Sequence, residues 1–388
     1  MKMTKPFATN QRRALSVRGW GGFLLCSGMM SFLAVALAAD AQYNISYADL
    51  TPPGALGGSL SFTSGNQQAG DVSTLGQSSG GIWSGPAHQF VSLNPPGFSI
   101  SWIAAVAGNQ QAGAIYVGGG YHAAIWSGSA ASFRNLNPAQ SSDSMALGTT
   151  GSQQAGYVTL GNFNVHAALW SGTAGSLVDL NPTAEASSMA YAIAGNQQAG
   201  TVYLPGGPHA AIWTGTAASF QDLNPPGARA SEIFATTGTQ QAGVAAFAAG
   251  ARAGIWFGTA DSFVDLHPTG ARDSQAFATI ETHQAGIAYF PDSMLGNSKH
   301  AMLWFGSASN YVDLDLVLGE AFYESSARSL WTDGTTILVA GNATTQEGYS
   351  RPILWTVTSV PEPSVSSFFT AALVLWVFAR ARARGAAK

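Results

Sequence analysis

Short runs of alternating apolar and polar residues fill most of this chain, and the runs recur. In residues 188–223, Ser188–Ile193 alternates and Gly195-Asn196 makes a tight turn. Gln198–Tyr203 is a second run, and Pro205-Gly206-Gly207-Pro208 turns the chain again. Ala210–Trp213 is a third, Gly215-Thr216 turns it, and Ser219–Leu223 is a fourth. Pro225-Pro226-Gly227 leads into the next unit. Period-two alternation between glycine and proline turns predicts β-strands. No stretch within the repeated region carries a helical period of comparable length.

The unit repeats. Gln-Gln-Ala-Gly begins at Gln67, Gln110, Gln153, Gln197 and Gln240, and the variant His283-Gln284-Ala285-Gly286 follows, at intervals of 43 or 44 residues. A tryptophan closes the third run of each unit: Trp83, Trp126, Trp170, Trp213, Trp256, Trp304 and Trp355. The last two intervals are longer, which places insertions near Pro291–Lys299 and Asp315–Glu324. Four strands in a unit of this length is the spacing of a β-propeller, and seven tryptophans predict seven blades. First strands rich in small residues, such as Ala190–Ala194, fit the crowded axis. The tryptophans fit the wedge where blades splay.

The ends of the repeat carry a sharper expectation. Ile45–Gly54 resembles Phe220–Gly227, so it reads as a fourth strand with no unit of its own. The unit of Trp355 lacks a fourth strand. The spacing therefore predicts that residues 45–50 pair antiparallel with residues 352–357 and close the ring, which removes two exposed sheet edges. The fold class is all-β, a seven-bladed propeller of four-stranded blades over residues 40–359. An N-terminal signal helix (residues 1–39) and a short apolar C-terminal helix (within residues 360–388) flank it.

Composition then narrows the function. The chain has 388 residues, 11% of them aromatic and only 9% charged, with a formal net charge of −4. Such a chain folds rather than staying disordered. Nine of the 16 Lys and Arg lie in the first 18 and last nine residues, which leaves seven between them against 19 acidic residues. A surface so acidic repels phosphate backbones, so no nucleic-acid partner is expected. Cys26, the single cysteine, lies in the N-terminal apolar run. Cleavage after that run would leave neither disulfides nor thiol chemistry.

The two ends read as export signals. A basic stretch ending at Arg18 precedes an apolar run to Ala39 and small residues that suit cleavage; an uncleaved anchor is the alternative. At the other end Pro361-Glu362-Pro363 precedes a mostly apolar stretch, Ser364–Ala379, and the basic Arg380, Arg382 and Arg384. The arginines act as a stop signal on the cytoplasmic side. This three-part tail resembles the PEP-CTERM sorting signal of Gram-negative bacteria. The resemblance implies transient insertion in the inner membrane, processing by an exosortase near the motif, and release to the cell surface or beyond. An ordinary C-terminal anchor is the alternative. The strings His122–Trp126, His166–Trp170, His209–Trp213 and His300–Trp304 are similar to exported HAF repeats, although the phenylalanine is replaced in all four. That resemblance implies an extracellular repeat protein and supplies no catalytic residues.

Two recurring features could carry chemistry. His122, His166, His209 and His300 hold one equivalent place in four units, but equivalent places are spread around a ring and do not converge on one ion. Asp179, Asp222, Asp265 and Asp313 recur before Leu-Asn-Pro or its variants, where Asx-turns explain them better than calcium. The Gln-Gln pairs read as solvated or ladder-bonding positions. The last two units deviate most, at His283, Asp292, Lys299, Asp315, Glu320, Tyr323, Glu324 and Arg328, which marks either a binding surface or simple divergence. No catalytic, metal or cofactor site is expected. The expected function is an exported binding or structural scaffold with extracellular polysaccharide or surface proteins as partners. The alternative is an exported propeller enzyme acting on polysaccharide.

Overall fold

The computed structural model describes residues 43–359, except 86, 162–163, 185 and 293–295. The expected signal helix and apolar C-terminal helix lie outside the described residues. Among the described residues there is no α-helix, and the strands form seven four-stranded antiparallel sheets. This is the seven-bladed propeller the repeat predicts. Blade 1 spans residues 57–92, blade 2 101–135, blade 3 141–179, blade 4 187–222, blade 5 230–265 and blade 6 273–313. Blade 7 takes three strands from residues 322–359 and its fourth from Tyr43–Asp49.

Closure occurs in the predicted register. Tyr43–Asp49 runs antiparallel to the last strand, with Tyr47 opposite Trp355 and Asp49 opposite Ile353. Tyr43 extends the seam by stacking on Phe305 of blade 6, ring centroids 4.9 Å apart. The two predicted insertions are an extended hairpin pairing Asp292 with Gly296, and two short 3-10 turns at Asp315–Val317 and Gly319–Ala321.

The fourth strands are shorter than the alternation suggests. In blade 4 only Gln221–Asp222 pairs, and Ala217–Ser219 is a 3-10 turn. The Ser219 hydroxyl accepts from the Thr214 N–H at 2.8 Å and donates to the Thr216 carbonyl at 2.5 Å. Such local bonds compete with the ladder. The result is an outer edge too short to recruit another strand.

Among the described residues there are seven cores, one in each wedge between blades. Each joins the fully buried tryptophan of one blade to the leucine that follows the fourth strand of the blade before it: Leu50 with Trp83, Leu93 with Trp126, and so on to Leu314 with Trp355. The Trp83 indole N–H donates to the Leu50 carbonyl at 2.8 Å, and Trp355 does the same to Leu314 at 3.1 Å. The closure strand thus feeds the core of blade 1 as well as completing blade 7.

A buried relay pins six of the seven junctions. The N–H of Ala167 donates to the Ser188 hydroxyl of the next blade at 2.9 Å, and that hydroxyl donates to Asn181 Oδ1 at 2.6 Å. Ala123, Ser144 and Asn137 repeat it, as do Ala210, Ser231 and Asn224. Gly80, Ser101 and Asn94 do so between blades 1 and 2. His267 replaces the asparagine at one junction and Asp315 at another. At the closure junction the three places are Pro352, Gly58 and Thr51. Proline has no N–H, so the serine acceptor has no donor to satisfy there. With no donor at Pro352, Gly58 and Thr51 leave no acceptor there unsatisfied.

Candidate functional site

The first strands of all seven blades line a central channel, and each carries a β-bulge at the same place. In blade 4 Ala190 pairs with Gly200 and Ala192 with Ala199, leaving Tyr191 as the extra residue. The equivalent residues are Ser61, Ala104, Leu147, Phe234, Phe277 and Arg328. A bulge turns its extra side chain out of the regular alternation. All seven border a channel cavity of about 380 Å³. All seven also border a second opening, shared with Ser59, Trp102 and Asn342. They form the waist between the two.

The glycine of the repeated string makes the bulge. Each strand-interior glycine lies opposite the residue before the extra one. A Cβ at Gly200 would sit 1.9 Å from the Met189 carbonyl oxygen, and at Gly156 1.8 Å from that of Met145. Gly341 stands in the same relation to Ser326, at 1.9 Å. Blade 7 has Leu338-Val339 where blades 1 to 5 have a glutamine pair and blade 6 has His283-Gln284, yet it keeps Ala340-Gly341. The bulge was missed from the sequence. The strand-interior glycine was the available signal.

The waist is lopsided. Blades 1 and 2 contribute Ser61 and Ala104. Blades 4 to 7 contribute Tyr191, Phe234, Phe277 and Arg328. The Tyr191 and Phe234 centroids are 5.6 Å apart and those of Phe234 and Phe277 5.3 Å, both tilted. The Arg328 guanidinium lies over Phe277, its carbon 4.4 Å from the centroid. That is cation–π range. Of the residues bordering either opening, Arg328 is the one with a charge. Among the described residues none forms an ion pair or hydrogen bond with it. The side chain is exposed to the channel, yet the surrounding protein lowers the guanidinium pKa, while Tyr289 opposes the shift. Burial also raises the Tyr191 hydroxyl, with the Glu232 carboxylate and Tyr203 adding to it. Glu232 itself is raised by burial.

The recurring histidines and aspartates turn out to be one feature. His166 Nδ1 meets Asp179 Oδ2 at 2.8 Å, His209 meets Asp222 at 2.8 Å, and His300 meets Asp313 at 2.7 Å. Arg252 keeps the pairing with Asp265 at 2.6 Å where the histidine is lost. The other carboxylate oxygen makes the expected Asx-turn, as in Asn181 N–H to Asp179 Oδ1 at 2.8 Å. The constant separation of 13 residues was the signal that both belong to adjacent strands. His122 has Asn135 at that separation, and its Nδ1 is buried without a partner. Among the described residues no group of three metal-ligating side chains comes together.

The first glutamine of most pairs is half-buried. The second of each pair, such as Gln111 and Gln241, is fully buried. Gln241 Nε2 donates to Gln197 of the previous blade at 2.9 Å, and its Oε1 accepts from the Gly258 N–H at 2.9 Å. Gln154 repeats this with Gln110 and Gly172. A half-buried hairpin position cannot be told from an inter-blade one by alternation alone.

The deviant residues of the last two units do not assemble into one site. Lys299 and Glu324 pair at 3.1 Å across the junction of blades 6 and 7, near the Asp315 relay. His283 packs edge-on against Phe305, and burial lowers its pKa. The backbone carbonyls of Glu320 and Tyr323 accept from Gln346 and Ser298. Arg328 alone reaches the channel. The Asp292 side chain, Pro361-Glu362-Pro363 and Arg380, Arg382 and Arg384 lie outside what the structure describes.

No known family model and no curated protein sequence matches the chain. Among solved structures it is similar to a puromycin hydrolase variant in complex with PGG (10% identity, 78% of this chain and 54% of that one, TM-score 0.53). It is also similar to Pyrococcus horikoshii acylaminoacyl peptidase (10% identity, 83% and 55%, TM-score 0.50) and to TolB from Acinetobacter baumannii (10%, 63% and 62%, TM-score 0.45). The chain spans about half the length of the two hydrolases and 62% of TolB. At these identities the likeness is one of fold alone.

Proposed function

We propose that the protein is an exported, surface-associated binding scaffold whose channel waist receives the ligand. One observation carries this reading. Seven bulges deliver seven side chains to one level of the channel: small in blades 1 and 2, leucine in blade 3, and aromatic or cationic in blades 4 to 7. A ring built only for rigidity has no need to break its own symmetry at that level. A cavity of about 380 Å³ is within the ~300–1,000 Å³ of small-ligand sites. Extracellular polysaccharide and surface proteins are the partner classes that suit an exported scaffold.

Export and trimming are part of the same proposal, and they rest on the sequence of the two ends. Surface protein from the native host should lack the residues after about Pro363. Mass spectrometry of that fraction checks this; an intact Arg384 on the cell surface would count against exosortase processing. The enzyme alternative separates by a different measurement, since it requires new reducing ends when polysaccharide is incubated with the protein.

A further inference from the structure

We infer that the waist binds a cyclic carboxylate, with Arg328 taking the carboxylate and the Tyr191–Phe234 side taking the ring. This rests on the channel being the binding surface and adds the chemistry of the ligand. Some cations of the propeller have anions, such as Arg252 with Asp265 at 2.6 Å and Lys299 with Glu324 at 3.1 Å. Arg328 has an aromatic face and no ion pair or hydrogen bond from the described residues. Its side chain is exposed to the channel, so its five N–H groups are open to a ligand that enters there. A planar guanidinium matches a carboxylate with two parallel hydrogen bonds, and such charge-assisted pairs are stronger in a confined site than in water.

The rest of the waist specifies what carries the carboxylate. Tilted aromatic rings at 5.6 and 5.3 Å spacing form a continuous apolar wall beside the cation. Ser61 and Ala104 leave the opposite side open. A ring with one flat face of C–H or π character packs on that wall while its carboxylate reaches Arg328. A flexible aliphatic acid would lose more conformational freedom for less contact. The cavity volume suits one ring, held end-on or as the terminal unit of a longer molecule. A sugar acid and an aromatic acid share this chemistry, and the test separates them.

The full-length protein is titrated by calorimetry with galacturonate and galactose, and with benzoate and benzyl alcohol. One acid should bind at least about tenfold more tightly than its neutral counterpart, as expected for a charged hydrogen-bonded contact. The acid that shows the preference identifies the source. Arg328→Gln should abolish the preference, and Arg328→Lys, which keeps the charge without the fork, should retain part of it. Circular dichroism confirms that each variant is folded. Equal affinity for acids and neutral compounds overturns the inference and leaves the channel as a binding surface. So does an acid preference that survives Arg328→Gln. Absence of binding by all four compounds overturns the inference too, while the trimming of the tail is judged separately by its own mass measurement.

Discussion

Gly200→Ala should destabilise the propeller by about 3 kcal/mol or more. The added Cβ would lie 1.9 Å from the Met189 carbonyl oxygen and 2.9 Å from Ala190 Cα. Both are backbone atoms, so no side chain can swing away. Relief requires the bulge to flatten, which withdraws Tyr191 from the channel and shifts the register of the first strand. Overpacking costs about 1–3 kcal/mol where neighbours adjust and more where they cannot. Gly175→Ala is the control. It sits in the Ala174–Ser176 turn with open space around its would-be Cβ, and a change within about 0.5 kcal/mol is expected. Chemical unfolding of the two variants measures both. If they were equally stable, the bulge would not depend on its glycine.

Deleting Ala41–Leu50 should cost still more, roughly 5 kcal/mol or above, and should act on the whole ring. The deletion removes a seven-residue strand, the Tyr43–Phe305 stack and the buried Leu50 side chain. Loss of a buried leucine alone costs about 2–5 kcal/mol. It also takes away the acceptor of the Trp83 indole and bares the edge of residues 353–359. The closure junction has no serine relay to fall back on, because Pro352 removed its donor. One cooperative transition at much lower denaturant, with aggregation through the open edge, is the expected result. An unchanged midpoint, or loss of signal confined to blade 7, would mean that the first strand is ornamental.

The architecture was legible because its signals are periodic. Tryptophan spacing counted the blades, and the orphan Tyr47–Leu50 segment foretold the closure, since a strand without a unit has one place to go. Alternation predicts fourth strands longer than those that form, because Ser219 and its equivalents alternate like strand residues while their hydroxyls hold a turn. The waist was not legible. Bulged positions hold Ser, Ala, Leu, Tyr, Phe, Phe and Arg, so they repeat in geometry and not in residue type. Only the opposing glycine is constant, and a glycine beside a hairpin reads first as part of the turn. Arg328 was noticed as a deviation but grouped with Lys299 and Glu324, which are its neighbours in sequence and not in the channel. The histidine–aspartate pairs were seen as two motifs because their partners lie on different strands.

The central claim is that the waist of the channel is where ligand binds, and filling its open side tests that most directly. Ala104→Trp adds an indole on the small side of the waist. Leu75→Trp, at an outer turn where the side chain is 89% exposed, adds the same bulk elsewhere. Calorimetric titration of both variants with galacturonate and benzoate should show binding lost in Ala104→Trp and unchanged in Leu75→Trp. Undiminished binding by a folded Ala104→Trp protein would contradict the claim and move the ligand out of the channel.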